Sequence, residues 1–370
     1  MDVVVSGLAA VGVGLDSVAD LLAGTPGGGR PATGGAGPDT TPDGGAPDGT
    51  ARPADPTRRL SGRGMRYKDR ATKLALLAGR DALTDAGLLA DDLLTVPGES
   101  VGVVVSTNYG NVDTVCEAVA TIAEHTYLGT SPMALPATSS NVTASWLAIT
   151  HGLRGANLTL CNGATSGLDA VFWAGLLIRS GRIRAALVVG VEPVNDPVRY
   201  VVGGGDPAAR PRLLDGAAAV VLESADAVRE RGGKPRAVLG PYARRAEPAA
   251  AVAAVRAVES RPVGLWYPPG PAPVPNTGAI PHAGDGPATP DDGPVGVGVL
   301  PDEGAPAARV DDLTRRFGEC SGALGVLQCA AGAAWLADHP TEAVLATAGT
   351  GDRGGEDAAA ALILTPAGTP

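Results

Sequence analysis

Residues 157–170, NLTLCNGATSGLDA, constrain this chain more than any other stretch. Leu158, Leu160 and Cys161 read as a short apolar strand and Asn162-Gly163 as a turn. Ala164-Thr165-Ser166-Gly167 then opens an apolar helix that continues through Leu168, Val171, Phe172, Gly175, Leu176 and Ile178. Ser180-Gly181-Arg182 stops it, with glycine at the cap and Arg179 near the negative end of the helix dipole. A strand that turns sharply into a helix gathers backbone N–H groups and partial positive charge at one point. Such a point lowers a thiol's pKa and binds an oxyanion, so it is a common place to hold a nucleophile.

The rest of the chain alternates in the same way. Strands are expected at 3–8, 101–105, 185–191, 217–222, 236–239, 343–346 and 358–364. Helices are expected at 15–22, 71–86, 108–125, 141–151, 249–257 and 322–335, and a proline-containing turn at 131–136. In 71–86, Leu74, Ala75, Ala78, Ala82 and Leu83 recur at helical spacing and Gly87 is a stop. Alternating strands and helices argue an α/β fold. The plan repeats coarsely, with 165–180 and 321–337 in corresponding places, which divides the chain into halves 1–225 and 226–370. Two Gly/Pro-rich stretches, 24–57 and 268–308, lack the composition to bury a core and read as surface loops, the first of them mobile.

Composition sets what such a fold must be packed with and what it binds. Of 370 residues 44% are hydrophobic but only 3% aromatic, so the core is left to Ala, Val and Leu. The net charge is −10, and no run of basic residues goes beyond short pairs such as Arg58-Arg59, Arg244-Arg245 and Arg315-Arg316. Nucleic acid is therefore not an expected partner. Cys116, Cys161, Cys320 and Cys329 have neither metal-ligand spacing nor the density of a disulfide scaffold. The N-terminal run carries Asp2 and no basic segment, and reads as a first strand rather than a signal peptide. The longest apolar run, 321–337, is interrupted by Gln328 and reads as a buried helix, not a membrane span. A soluble, cytoplasmic protein is the expectation.

Ser166-Gly167-Leu168-Asp169-Ala170 resembles the nucleophile elbow of the β-ketoacyl synthases, where a Ser/Thr-Ala-Cys-Ala-Ser/Ala-Gly run precedes such a helix. The Val-rich opening strand, the Gly-Leu-Arg-Gly-Ala-Asn run at 152–157 and the strand at 215–223 are similar to that family as well. The resemblance covers most of 1–225 and, beyond it, mainly 314–337. It implies the thiolase-like fold, five layers α-β-α-β-α with two pseudo-duplicated halves, and no cofactor.

The resemblance also places the family's catalytic residues. Its cysteine falls at Ala164. Its Gly-His-x-x-Gly-Ala-x-Gly motif falls on 318–325, GECSGALG, with Glu319 at the histidine, and its lysine falls at Thr314. The first-histidine motif falls near 263–270, VGLWYPPG, with Tyr267 or Pro268 at about the histidine. The gating loop falls on 350–355, TGDRGG, without its phenylalanine. Four elements of the condensing apparatus are thus replaced, and an ionised Glu319 would repel a developing enolate.

Three functions follow from this pattern. The first is a catalytically deficient subunit like the chain length factors, the ketosynthase β subunits of type II polyketide synthases. It would pair with an active, cysteine-containing ketosynthase and an acyl carrier protein and shape the partner's acyl tunnel. Family dimers meet across the nucleophile strand and the segment before it, which implicates Asn108, Tyr109, Val112, Cys116, Met133, Asn141 and Trp146; Tyr109, Met133 and Trp146 have the bulk to line a tunnel. Chain length factors for aromatic polyketides usually carry Gln where Ala164 stands. Alanine fits partners that build reduced or polyene chains, or a more divergent relative. The second function is an acyltransferase or decarboxylase with relocated residues such as Cys161, Glu319 or Cys320. The third is a homodimeric carrier-protein-binding scaffold. Against the second, Cys161 is expected to point into the sheet as a small hydrophobe. Glu319 is expected to fill space or hydrogen-bond at a helix N-terminus. His125, His151, His282 and His339 are expected at the surface.

Overall fold

The computed structural model describes residues 1–23, 55–62, 64–132, 134–270, 308–349 and 358–368. The expected loops 24–57 and 268–308 lie largely outside the described residues, and Met133, His282 and the 350–355 segment lie wholly outside them.

The first half of the chain runs β1 (Val3–Gly12), α1 (Val18–Leu22), α2 (Arg70–Asp85), a small hairpin of β2 (Leu89–Ala90) and β3 (Leu93–Leu94), and β4 (Val101–Ser106). It continues with α3 (Val112–His125), α4 (Val142–His151), β5 (Asn157–Leu160), α5 (Ser166–Arg179), β6 (Ala185–Glu192), α6 (Asp196–Val202), β7 (Gly216–Ser224) and α7 (Ala225–Glu230). Then follow β8 (Ala237–Arg245), α8 (Pro248–Arg256), β9 (Val263–Tyr267), β10 (Arg309–Val310), α9 (Leu313–Phe317), α10 (Leu324–Trp335), β11 (Ala343–Ala348) and β12 (Ala359–Pro366).

Ten of these strands hydrogen-bond in the order β10-β9-β11-β12-β8-β1-β7-β6-β4-β5. From β1 outward the pairs are antiparallel with β7, antiparallel with β6, then parallel with β4 and β5. From β8 outward the same succession recurs through β12, β11, β9 and β10. Among the described residues the two sets of strands are joined where Val4 and Val5 pair with Val238 and Ala237.

Side-chain alternation shows why the strands look uniformly apolar: both faces of each sheet are covered. On β7, Ala218, Val220 and Leu222 join a central core that also holds α5 and α10, while Ala217, Ala219 and Val221 join an outer core under α2 and α4. On β12, Ala360, Leu362 and Leu364 face the central core, and Ala361 and Ile363 face a second outer core under α8. Helix, sheet, paired central helices, sheet and helix make five layers, the thiolase-like α/β fold. A bulge between Val5 and Gly7 switches the parity of β1, so Val3 and Val5, then Leu8 and Ala10, all face the centre.

The structure also departs from the expectations. The helix expected over 108–125 begins at Val112, because the backbone N–H groups of Asn108 and Tyr109 turn instead to the Glu192 carboxylate. The hairpin, α6, α7 and β10 had no clear periodicity. Cys161 does not point into the sheet: β5 ends at Leu160 and is the edge strand, which leaves Cys161 exposed. His151 is not at the surface. It is buried at the end of α4 with Nε2 unpartnered, and burial pushes its pKa down to about 4. The run at 321–337 is the buried helix α10, and among the described residues no helix is long and apolar enough to cross a membrane.

Candidate functional site

The elbow forms as the strand β5, a 3₁₀ turn at Gly163–Thr165 and the helix α5. Gly163 takes φ = +85°, a left-handed conformation that glycine adopts without steric cost, and so turns the chain from strand into helix. Ala164 sits half-buried in the middle of that turn. Thr165 Oγ1 donates to Asp169 Oδ2 at 2.9 Å, and the Asn162 side-chain amide donates to the same oxygen. Tyr242, on β8 of the other sheet, donates its hydroxyl to Asp169 Oδ1, and Arg244 Nε lies 3.8 Å from Asp169. Burial, followed by this bond and the Asp169 charge, pushes the Tyr242 pKa up. The buried Asp169 carboxylate thus pins both ends of the elbow to α5 and to the opposite sheet.

The second half brings Glu319 to the same place. A 3₁₀ turn at Ser321–Ala323 precedes α10 as the other one precedes α5. Glu319 is half-buried, its Oε1 accepts the Ser321 N–H at 2.8 Å, and burial pushes its pKa up. Ser321 itself has φ = +41°, an uncommon conformation for a side-chain-bearing residue. Asn108 lies between the two turns: its Nδ2 donates to Gly163 O at 3.0 Å and to Ser321 Oγ at 2.7 Å. Tyr109, half-buried beside it, has its hydroxyl hydrogen-bonded to Ser321 and its pKa raised by burial.

The remaining predicted positions are not gathered here. Tyr267 is fully buried in the central core, its hydroxyl has no partner, and burial pushes its pKa up. Pro268 O accepts from Gln328 Nε2 at 3.2 Å. Thr314 lies in the first turn of α9, which Asp312 caps, and its hydroxyl is 2.7 Å from Asp312 Oδ1. Val112 starts α3 with its N–H on Tyr109 O, and Cys116 is exposed on that helix. Asn141 is exposed and accepts from Ser139 Oγ at 2.6 Å. Trp146 lies under the Lys68 ammonium, 2.9 Å from the ring centroid. Burial, opposed by the Asp69 charge, lowers the pKa of Lys68.

One residue at the centre of the site escapes sequence reasoning. Glu192, at the end of β6, is buried and accepts from Asn108 N (2.7 Å), Gly322 N (2.9 Å), Tyr109 N (3.1 Å) and Thr107 Oγ1 (3.2 Å). Burial pushes its pKa up to about 7 against those four donors. The signal was present: a carboxylate that ends an otherwise apolar strand, LVVGVE, asks for donors. Asp169 is the same case on an apolar helix.

With both turns and their bridging loop in place, the comparison with known proteins becomes specific. The family model for the N-terminal domain of β-ketoacyl synthases matches residues 26–204. These residues are a β-ketoacyl synthase domain. The ketosynthase stretch is 27% identical over 205 residues to 3-oxoacyl-[acyl-carrier-protein] synthase 2 of Vibrio harveyi, covering 50% of this chain and 49% of that protein. It is 30% identical over 224 residues to the granaticin polyketide putative beta-ketoacyl synthase 1 of Streptomyces violaceoruber, covering 51% and 50%. The chain spans about half the length of these relatives. In three dimensions it superposes on the ishigamide ketosynthase/chain length factor over 100% of both chains with a TM-score of 0.68 at 24% identity, which establishes a shared ketosynthase fold.

Chemically, the turn itself holds no thiol at position 164, and the exposed Cys161 lies three residues before it. The site presents an amide, a phenol, a hydroxyl and a carboxylate, joined to one another by hydrogen bonds.

Proposed function

We propose that the chain is a non-catalytic ketosynthase-like subunit, a chain length factor, built of two halves that divide near residue 225. It pairs with an active, cysteine-containing ketosynthase, meets an acyl carrier protein, and shapes the partner's acyl tunnel. The observation that carries this reading is the convergence of Ala164 and Glu319. Ala164 lies in one of the two turns that Asn108 bridges and Glu319 two residues before the other, whose Ser321 N–H it accepts; these are the positions the family is taken to fill with cysteine and histidine. A site with this architecture and no nucleophile retains the fold's assembly role and loses its chemistry.

Two surface features support pairing. The edge strand β5 has backbone groups free on one side, and α3, although mostly apolar, has no buried residue. Val119, Ile122, Tyr127 and Leu128 are all exposed on or just after that helix. Tyr109, between this surface and the elbow, is the residue assigned to the tunnel end.

Native mass spectrometry of the chain co-expressed with a cysteine-containing ketosynthase from the same gene cluster tests this reading. A one-to-one heterodimer supports it. A homodimer that never takes up the partner overturns it in favour of a carrier-protein scaffold. Acylation of the exposed Cys161 without a partner would point to a relocated enzyme.

A further inference from the structure

We propose that Asn108 is a positioning residue that clasps the elbow of the first half to the N-terminal turn of the second central helix. It closes the space in which a reactive group at position 164 would meet an acyl thioester. Nδ2 donates to Gly163 O and to Ser321 Oγ, and Oδ1 accepts from Gly163 N at 3.2 Å. Gly163 presents a fixed donor and a fixed acceptor, so its two backbone bonds dictate which way the amide faces. The Ser166 hydroxyl approaches Oδ1 at 3.2 Å while lying 2.6 Å from Asn162 Oδ1, and Asn162 N donates back to Ser166 Oγ at 2.8 Å. Both protons and the oxygen of the Asn108 amide are therefore engaged, and none is left for a substrate.

Two further observations place the clasp under tension and hold its base. Its far end, Ser321, is the residue with φ = +41°, whose N–H is held by Glu319 and whose hydroxyl is shared with Tyr109. Its near end is fixed from below, because the Asn108 backbone N–H is held by Glu192, which also holds Gly322 N. Asn108 thus reaches the second half directly through its amide, and its backbone is linked to that half through Glu192. This inference rests on the non-catalytic reading and adds what keeps the vacated site shut.

The test removes the exposed neighbouring thiol with Cys161→Ser and, in that background, places a reporter thiol with Ala164→Cys and compares it with Ala164→Cys/Asn108→Gly and Ala164→Cys/Asn108→Asp. Each is treated with iodoacetamide, and alkylation is followed peptide by peptide. The exposed Cys116 gives the reference rate, and the buried Cys320 and Cys329 report unfolding if they react. The clasp predicts at least tenfold faster alkylation of the introduced thiol in the Gly variant. The Asp variant, which loses both donated bonds and keeps the shape, should be intermediate. Equal rates in all three proteins, with Cys320 and Cys329 protected, overturn the proposal. If the Gly variant unfolds, the Asp variant decides alone, and a rate equal to that with Asn108 intact overturns it. Failure of the partner reading appears separately, as absence of the heterodimer with the unsubstituted chain.

Discussion

Gly167 and Gly325 touch backbone to backbone where the two central helices cross. A Cβ on Gly167 would lie 2.7 Å from Gly325 N, and a Cβ on Gly325 would lie 2.3 Å from Leu168 N. Neither contact has a flexible side chain that could move aside, so the helices approach as closely as their main chains allow. This is how a chain with 3% aromatic residues fills the middle of a five-layer fold.

Replacing either glycine by alanine should destabilise the protein, although alanine is the better helix former by about 1 kcal/mol. Overpacking against backbone outweighs that gain, and a net loss of about 2 kcal/mol is expected for Gly167→Ala or Gly325→Ala. The double variant should cost less than the sum, since the first substitution already forces the helices apart. Urea unfolding followed by circular dichroism measures all three.

Glu192 gives the fold a pH dependence with a defined sign. Its pKa is about 7 in the folded protein against a reference of 4.5. The folded state therefore binds the proton more tightly. The associated stability is fully present below pH 4.5 and is lost as pH rises through 7, a fall on the order of 3 kcal/mol. Urea midpoints between pH 4.5 and 8 should show this slope in the unsubstituted protein and not in Glu192→Gln. Parallel slopes would refute the assignment to Glu192.

Tyr242→Phe removes the hydroxyl that reaches Asp169 across the sheets but keeps the ring stacked on Phe172 at 4.5 Å between centroids. A hydrogen bond to a charged group contributes about 1.5–3 kcal/mol, so a loss of about 2 kcal/mol is expected from thermal or urea unfolding. Tyr242→Ala should cost more, because it also removes the stacked ring.

Restoring the nucleophile alone should not restore chemistry. Ala164→Cys supplies a thiol on the turn that Asn108 ties to Ser321, the residue whose N–H Glu319 accepts, and an ionised carboxylate there cannot stabilise a developing enolate. No carbon dioxide should be released from malonyl-carrier protein by this variant without a partner, as measured with labelled malonyl groups. Release at the rate of an active ketosynthase would overturn the proposed role of Glu319.

Tyr109 and Trp146 should differ in their effect on product length. Tyr109 borders the elbow through Ser321, whereas Trp146 is covered by Lys68. With a ketosynthase partner, Tyr109→Ala should lengthen the product by at least one extension unit and Tyr109→Phe should leave it unchanged. Trp146→Ala should reduce stability without changing length. Mass spectra of the products separate these outcomes.

The chain's own order of residues determined much of this. The 157–170 elbow, the alternation of apolar strands with small-residue helices, and the second turn at 318–325 are local patterns, and each folds as it reads. The absence of a cysteine at 164 and a histidine at 319 is likewise a fact of sequence. Tertiary structure alone decided which side chains meet. Glu192 and Gly322, Asn108 and Ser321, Asp169 and Tyr242 are separated by 73 residues or more, and no local period links them. Their partners are set by strand order: β1 joins β8 and sandwiches the two central helices, bringing two turns from opposite halves to one point. A buried carboxylate at the end of a strand shows in the sequence that donors are needed; only the packing of the second half shows which donors arrive.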